Sequence, residues 1–569
     1  MLTILLITAM LGQGQSWDSV GVKFITAFPE NIAFYYPDNP VNALNITAIH
    51  ADAVVIVSIL DSPWTHQDTL PAGKPVTVTL PLGVEKYSFV QTLQTVMISS
   101  TELIVVQSIS QRGDSVQTNV VQPLKNLGTF YSIPALNYSN MINVFLESAR
   151  NSSKRYSSFR LLIINGEDTS NLIKIVKKPN NIIYNLDPYA VLQLQTDGTE
   201  IAVESDYRVA VMLTHPCVMT SECKCNMVVN QLHPDTQWDS RFARPSLGNV
   251  WLHLTSSTNV IVSGGNIQSG TFEAYSSKLL SLPSLTSYSP LISTSGPASL
   301  RLVGPGLVIE LIPLSRFSAC YLVVPVDLTG AEVFVIAETE YRNSVYIDGH
   351  LLSSTQWRTI SDSEYSSALV SLDGTHVIWH PSTKIAVYVF EGSSYLYGGA
   401  AISLSANPDP AGCVVVPSKF DIILTPQTWP ESHQNCMLIS EELFSPSNTA
   451  AQMEMVDILN NEGLNEGLWI GLRRSLLTLE WYRQKGKEVH SMTYTRWGTG
   501  EPGAAEMGMC ASVFSNSSTG LHWKSVPCCA QLKSVCYTSL HYFPLDSLIS
   551  NEKDSKPNSN SNANGDGNA

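Results

Sequence analysis

The chain has 569 residues, which suggests three or four domains at the usual size of about 100–200 residues each. Charged residues make up 14% of the chain and hydrophobic residues 44%, and the formal net charge is −15. This balance excludes a nucleic-acid binder acting through bulk positive charge, and the hydrophobic content excludes a wholly disordered chain.

The N-terminus is typical of a secretory signal peptide. The apolar run 2–11 is followed by Gly14 and Ser16, small residues suited to a cleavage site before Trp17. An uncleaved anchor is the alternative, because only the α-amino group supplies positive charge, although the run is short for a membrane span. We therefore expect a signal peptide at 1–16 and a secreted, extracellular protein without a membrane span.

Residues 17–405 repeat a short polar opening followed by alternating apolar residues. The pattern occurs at 100–106, 205–211, 257–262 and 382–389. Each occurrence predicts a turn leading into a strand with one buried face. The irregular spacing predicts a mainly β region of several β-sandwich-like modules and not a short-period solenoid.

One part of this region carries a family resemblance. Residues 205–242 contain Cys217, then Cys223-Lys224-Cys225-Asn226, then Gln231-Leu232-His233-Pro234 and Trp238. This order resembles the N-terminal domain of the IgG-Fc-binding protein family, and the run 365–399 looks like its closing module. The resemblance implies a domain of secreted and cell-surface proteins, in mucosal, matrix or defence settings. The family name implies immunoglobulin binding, but no short motif carries that activity, so no residue role is transferred.

The ten cysteines and four glycosylation sequons fit an oxidising extracellular compartment. We expect all ten cysteines to be in disulfide bonds, and glycans on the sequons Asn45, Asn137, Asn151 and Asn516. A metal site at Cys223 and Cys225, flanked by His215 and His233, is the less favoured alternative. The cysteines of the N-terminal region allow three pairings, which the sequence leaves open: Cys217, Cys223, Cys225 and Cys320.

After a linker at 406–412, the region 413–537 has a different pattern. A short helical segment ends at Cys436, and Ser445-Pro446 opens a second predicted helix with apolar positions Ala451, Met455, Ile458 and Leu459. Further along come Trp469-Ile470-Gly471, Trp481, Trp497, Glu501-Pro502-Gly503, Cys510, Trp523, Cys528 and Cys536. This order resembles the C-type lectin-like domain, an α+β fold, and the polar tail at 538–569 is predicted to be disordered.

The lectin-like resemblance implies two disulfides, Cys436 with Cys536 and Cys510 with Cys528. Cys413 and Cys529 are left over, and their simplest use is a third bridge within the domain. The alternative is that Cys413 bonds to a cysteine outside it. The four tryptophans that occupy core positions of the family are assigned to packing: Trp469, Trp481, Trp497 and Trp523.

Calcium-dependent sugar binding in this family uses a Glu-Pro-Asn or Gln-Pro-Asp loop, a downstream acid and a Trp-Asn-Asp turn. Here the loop reads Glu501-Pro502-Gly503 and the turn reads Trp523-Lys524-Ser525, with Glu506 as a further acid. Most oxygen donors are missing, and we expect Lys524 to place a cation where the ion would lie. The resemblance therefore implies that the usual calcium site is lost, with no bound metal, and that Pro502 keeps the family's cis peptide bond.

No catalytic motif or cofactor-binding motif is found in the sequence, so we predict a protein that is not an enzyme and needs no cofactor. The leading hypothesis is extracellular recognition of a protein or glycan ligand, without a role for nucleic acid. The alternative is a structural or assembly component of mucus or extracellular matrix.

Overall fold

The computed structural model describes most of residues 18–542. The segments of five or more residues that it leaves out within this span are 33–38, 142–157, 265–269, 282–290, 447–451 and 456–466. The predicted signal peptide, the tail from residue 543, Cys223, Asn151 and positions 451, 458 and 459 lie outside the described residues. Contacts divide the chain into two units, Met1–Val416 with Tyr542–Ala569, and Pro417–His541.

The first unit begins with a β-sandwich module in which one strand belongs to both sheets. The first half of β8 pairs with β4 and β1, and its second half pairs with β3 and β9. The inner faces bury a shared apolar core that includes Leu44, Val57 and Val106. The strands of this module are β1 (Gly21–Thr26), β2 (Phe28–Pro29), β3 (Val41–Ala48), β4 (Ala53–Ile59), β5 (Thr65–Leu70), β6 (Pro75–Thr79), β7 (Glu85–Lys86), β8 (Val96–Arg112) and β9 (Ser115–Val121).

The second and third modules repeat this strand order, with β15 and β22 as the shared strands. A proline and a single 3-10 turn precede each of these two modules, at Leu124–Asn126 and Asp235–Gln237. The second module has β10 (Gly128–Ile133), β11 (Arg160–Asn165), β12 (Asn171–Val176), β13 (Ile182–Leu186), β14 (Val191–Gln195), β15 (Ile201–Ser221) and β16 (Lys224–Gln231). The third has β17 (Asp239–Ala243), β18 (Trp251–Thr255), β19 (Val260–Gly264), β20 (Gly270–Phe272), β21 (Ser277–Ser281), β22 (Leu291–Gly304) and β23 (Leu307–Glu310).

Each shared strand bends where it passes from one sheet to the other. Near the bend in β8, the register jumps from Gly21 opposite Ile104 to Lys23 opposite Ser99. The same local hydrogen bond occurs at all three bends: a side-chain hydroxyl donates to the backbone carbonyl oxygen two residues later. The pairs are Ser100 to Glu102 (2.6 Å), Ser205 to Tyr207 (2.7 Å) and Thr294 to Gly296 (2.7 Å). The turns predicted at 100–106 and 205–211 are therefore wrong, because a local hydroxyl bond bends a continuous strand there.

The fourth module is a sandwich of two five-stranded sheets. Two separate strands, β30 and β31, take the place of the shared strand, one in each sheet. The chain turns between them, so the turn predicted at 382–389 is present. Its strands are β24 (Cys320–Val323), β25 (Ala331–Glu338), β26 (Tyr346–Ile347), β27 (His350–Leu351), β28 (Trp357–Thr359), β29 (Tyr365–Leu372), β30 (His376–Trp379), β31 (Ala386–Glu391), β32 (Tyr397–Ala400) and β33 (Ile402–Ser405), followed by β34 (Val414–Val416).

The four modules close into a ring. Apolar clusters join each module to the next: Ile25 and Leu162 share one, Leu213 and Val303 a second, and Leu252 and Tyr388 a third. A fourth cluster, with Val105 and Leu322, joins the last module to the first. One strand from each module faces the middle, since β9 and β23 each contact both β16 and β32.

The described residues of the second unit include helix α1 (Trp429–Leu438) and an eight-stranded sheet. Helix α1 begins with a capping box, in which Thr428 N–H donates to the Glu431 carboxylate (2.9 Å) and Glu431 N–H donates to the Thr428 hydroxyl (3.4 Å). The elements are β35 (Lys419–Gln427), α1 (Trp429–Leu438), β36 (Glu442–Leu443), β37 (Leu468–Arg474), β38 (Trp481–Lys485), β39 (Glu488–Ser491), β40 (Cys510–Asn516), β41 (Gly520–Val526), β42 (Leu532–Thr538) and β43 (His541–Tyr542).

Candidate functional site

The candidate site lies where the loop between β39 and β40 meets strand β41. The peptide bond between Glu501 and Pro502 in this loop is cis, as the sequence predicted. Strand β40 pairs with β41 so that Ala511 lies opposite Ser525. This hairpin brings the loop and the turn, which are 22 residues apart in sequence, into direct contact at Gly503 and Ser525.

Glu501 is the centre of this contact. Its Oε2 accepts hydrogen bonds from the backbone N–H of Gly503 (2.9 Å), from the backbone N–H of Ser525 (3.1 Å) and from the Ser525 hydroxyl. The Ser525 hydroxyl also accepts a bond from Gly503 N–H (3.0 Å). One carboxylate oxygen that could bind a cation is thus occupied by three protein donors.

Arg474 bonds to the backbone carbonyl oxygen of Gly503, the second polar group of that residue. Its Nη2 donates to the Gly503 carbonyl oxygen (3.0 Å), and its guanidinium stacks over the ring of Trp481 at 4.8 Å. Arg474 is only 8% exposed, so a cation is buried directly beneath the loop. No sequence motif pointed to this residue, although a charged residue at the end of the apolar strand β37 (Leu468–Arg474) is a signal of buried pairing.

The hydrogen bonds also set the protonation of Glu501. Burial acts to raise the pKa of its carboxyl group, but the bonds from Ser525 and Gly503 outweigh it, and the Lys524 charge adds to them. The net effect is a lowered pKa, so the carboxylate is ionised at neutral pH and is stabilised by local hydrogen-bond donors.

Lys524 does not point where the sequence analysis expected. Its Nζ lies over the ring of Phe514, at 5.8 Å from the centroid. In strand β41 successive side chains alternate between faces, so Lys524 and Ser525 lie on opposite faces. The expectation that the Lys524 ammonium lies at the ion position is therefore wrong, and the cation nearest to Gly503 is Arg474. Glu506 is exposed on the turn Ala505–Met507, away from the Glu501 bonds.

The loop therefore supplies little for a calcium ion, which takes six to eight oxygen ligands. In the part of the chain that the structure describes, no group of three or more His, Cys, Asp or Glu side chains could hold a metal ion. A Cβ on Gly503 would lie 3.2 Å from Met507 Cβ and 3.3 Å from the Ser525 hydroxyl, so the loop is packed for glycine.

The four tryptophans that were assigned to packing do pack, as predicted. Trp469 and Trp523 are fully buried, and Trp481 and Trp497 pack partly buried against the core. Trp469 also donates to the Gln427 carbonyl oxygen (2.7 Å). These rings are not a free surface for stacking a sugar.

The structure contains both disulfides that the lectin-like resemblance implied, Cys436–Cys536 and Cys510–Cys528. The proposed third bridge between Cys413 and Cys529 is wrong, because Cys413 bonds to Cys320 and therefore belongs to the first unit. The remaining bridge is Cys217–Cys225, which rules out a metal site at Cys225. Cys529 is an exposed free thiol, so the expectation that every cysteine is bonded is also wrong.

The sequon at Asn45 is not available for a glycan. Its side chain is 8% exposed, accepts a hydrogen bond from the Thr77 hydroxyl (2.6 Å) and donates to Gln107 (3.5 Å). The strand that carries Asn45, β3, is paired on both sides, with β8 and β6, so this buried side chain is not displayed for a glycan. Asn137 is half-buried, and Asn516 is the last residue of β40.

Two family models match consecutive parts of the chain. Residues 117–390 match the IgGFc binding protein family, and residues 425–538 match the lectin C-type domain. The first region is thus an IgG-Fc-binding-type β region, and the second is a C-type lectin-like domain, in the order that the sequence predicted. No helix among the described residues is long and apolar enough to cross a membrane.

Individual proteins are similar to parts of this chain. Human IgGFc-binding protein is 23% identical over 379 residues, which are 63% of this chain but 7% of that protein. Human lithostathine-1-alpha is 30% identical over 113 residues, 19% of this chain and 65% of that protein. The crystal structure of human lithostathine shares 25% identity, covers 21% of this chain and 83% of its own, and has a TM-score of 0.20. This chain thus spans less than two thirds of the full length of both human IgGFc-binding protein and human lithostathine-1-alpha.

Proposed function

We propose that this chain is a secreted, non-enzymatic recognition protein whose C-type lectin-like domain binds a protein or glycan ligand without the usual calcium ion. The observation that carries the proposal is the pair Glu501 and Ser525, in which protein donors take the carboxylate oxygen. A cation that bound this carboxylate oxygen would have to compete with its three hydrogen-bond donors, which reduces the gain from binding the ion.

Two further observations support this proposal, one on the extracellular setting and one on binding. Four disulfides are characteristic of proteins that mature in an oxidising compartment. Both matched families are named for binding, one to IgG Fc and one to carbohydrate as a lectin. For this chain, IgG Fc is one candidate ligand to be tested.

The ligand surface that we propose is the exposed rim of the Glu501 loop. Pro502, Ala504, Glu506 and Met507 are exposed there, and Met507 retains 64% of its accessible surface. The bonds of Glu501 and Arg474 hold this rim in one conformation without an ion. A preorganised rim lowers the entropic cost of binding.

The test is a glycan and protein array, including IgG Fc, probed with the full chain in calcium and again in a chelator. We expect saturable binding to a defined ligand that is equal in both buffers and is weakened at least about tenfold by Met507→Asp, a loss of about 1.4 kcal/mol. Leu438→Asp, at a 74% exposed position of the same domain, is the matched control and should bind normally.

Two results would contradict the proposal. Binding that requires calcium would show that the loop still holds the ion. Concentration-dependent self-association of the chain without any saturable ligand would favour the assembly role instead.

A further inference from the structure

A cavity of about 130 Å³ lies where the four modules of the first unit meet. It is lined by residues of β9, β16, β23 and β32, one strand from each module. A cavity of this size exceeds what one water molecule fills and compares with cavities that bind small organic molecules. The ring closure therefore creates a site that no single module contains.

Two amide side chains on the cavity wall are fixed in orientation. Asn119 accepts a hydrogen bond at its Oδ1 from Gln231 N–H (3.1 Å), and Gln231 accepts one at its Oε1 from Gln122 N–H (3.1 Å). Because a backbone N–H can only donate, these bonds decide which end of each amide is oxygen. The NH₂ groups of Asn119 and Gln231 are therefore held as donors.

These donors have no acceptor among the described residues. The NH₂ nitrogens of Asn119 and Gln231 are buried without a hydrogen-bond partner, as is Nε of Arg316, which also lines the cavity. Gln231 as a whole is 5% exposed. A buried donor without an acceptor is costly, so three of them on one cavity wall indicate that an acceptor-rich molecule belongs there.

The charged groups around the cavity are otherwise satisfied. Arg316 Nη2 donates to His233 Nε2 (2.8 Å), which leaves His233 Nδ1–H to donate to Glu310 (3.0 Å). Glu310 also accepts from the Ser299 hydroxyl (2.6 Å), and Glu391 accepts from Val326 N–H (2.7 Å). Protein donors thus engage both cavity-lining carboxylates. Of the buried side-chain atoms that line the cavity without a partner among the described residues, three are donors and one, Asn230 Oδ1, is an acceptor.

We propose that this cavity binds a small oxyanion, either an organic carboxylate or an inorganic tetrahedral anion, through the amide NH₂ groups of Asn119 and Gln231 and the guanidinium of Arg316. Acetate or sulfate, with four or five heavy atoms, fits a volume of this size. Donors from three different modules contact one ligand, so binding also stabilises the closed ring. This site is independent of the lectin-like domain.

The test is equilibrium dialysis of the full chain with radiolabelled acetate and, separately, sulfate, at fixed ionic strength. We expect saturable binding of one anion per chain, weakened at least about tenfold by Gln231→Glu and by Asn119→Asp. Each variant keeps the oxygen that accepts the backbone bond and replaces the NH₂ donor with a repelling oxygen. Asn185→Asp adds the same charge at an exposed position of β13 outside the cavity and should bind as wild type does.

Preference for acetate would assign a planar carboxylate ligand, and preference for sulfate a tetrahedral one, both within the proposal. If Gln231→Glu fails to fold, Asn119→Asp decides the question alone. Absence of saturable binding of either anion to wild type overturns the proposal, as does unchanged affinity in the folded variants.

Discussion

Glu501 accepts hydrogen bonds from both the backbone N–H and the hydroxyl of Ser525, a residue 24 positions further along the chain. In the family pattern, an acid stands at the serine position and a calcium ion joins the two segments. Here Ser525 joins the two segments directly, through its hydrogen bonds with Glu501 and Gly503.

Ser525→Ala should loosen this loop. The change removes one donor to an ionised carboxylate and one acceptor of Gly503 N–H, and a hydrogen bond to a charged group contributes about 1.5–3 kcal/mol. We expect the amide of Gly503 to exchange its hydrogen at least about tenfold faster at neutral pH. Hydrogen exchange of the peptide that contains 501–507 measures this, with the exposed Ser491→Ala as control.

The effect of Ser525→Ala on hydrogen exchange should depend on pH. The pKa of Glu501 is lowered on folding, so its bonds contribute stability above the unfolded-state pKa, and this contribution is lost as pH falls through the folded pKa. The difference in exchange between wild type and Ser525→Ala should therefore shrink in acid. A difference that is constant from neutral to acidic pH would show that Glu501 is not the partner.

Limited proteolysis tests the bridge Cys320–Cys413. Cleavage within 406–412 should give an N-terminal and a C-terminal fragment that stay linked until reduction, because Cys413 lies beyond the cut and is bonded to Cys320. Cys320→Ser and Cys413→Ser should each release the fragments without reductant. Fragments of wild type that separate under non-reducing conditions would mean that this bridge is absent.

The exposed thiol of Cys529 should react in the native protein. Iodoacetamide without reductant should label Cys529, and Cys529→Ser should abolish that label. Cys528, its neighbour in sequence, should remain unlabelled because it is bonded to Cys510. Recovery of a peptide in which Cys510 is joined to Cys529 would contradict this assignment.

Two buried tyrosines should each stabilise the module in which they lie. Tyr131 and Tyr321 each accept a bond from the backbone N–H three residues earlier, at Gly128 (2.8 Å) and Ser318 (3.0 Å). Each hydroxyl also donates to a distant carbonyl oxygen, at Val209 and Ile385. Replacing either tyrosine by phenylalanine leaves a backbone N–H and a backbone carbonyl oxygen without a partner. This should lower the free energy of unfolding by about 1–3 kcal/mol.

Thermal unfolding of Tyr131→Phe and Tyr321→Phe should show a midpoint lowered by several degrees, at about 2–4 °C per kcal/mol for a large domain. The matched control is Tyr207→Phe, at a position that is 51% exposed, and its midpoint should not change. Equal midpoints for all three variants would show that the buried hydroxyls do not stabilise the modules.

The sequence predicted the two kinds of domain, because alternating apolar residues and cysteine spacing are local signals. It did not predict the ring, because closure depends on contacts such as Val105 with Leu322 that join distant modules. The disulfide between Cys413 and Cys320 was not predicted for the same reason, since it joins residues that are far apart in sequence. At the site, Glu501 and the cis peptide were predictable from the loop motif. The role of Arg474 was not, because only the fold places it under Gly503.

The most direct test of the central claim is isothermal titration of calcium into the full chain, with Glu501→Ala alongside. Because Ser525 and Gly503 hold the carboxylate and Arg474 holds the Gly503 carbonyl, we expect calcium affinity at this loop no tighter than about 1 mM, the range of weak extracellular sites. The heats of wild type and Glu501→Ala should then be alike. A micromolar affinity in wild type that Glu501→Ala abolishes would contradict the account.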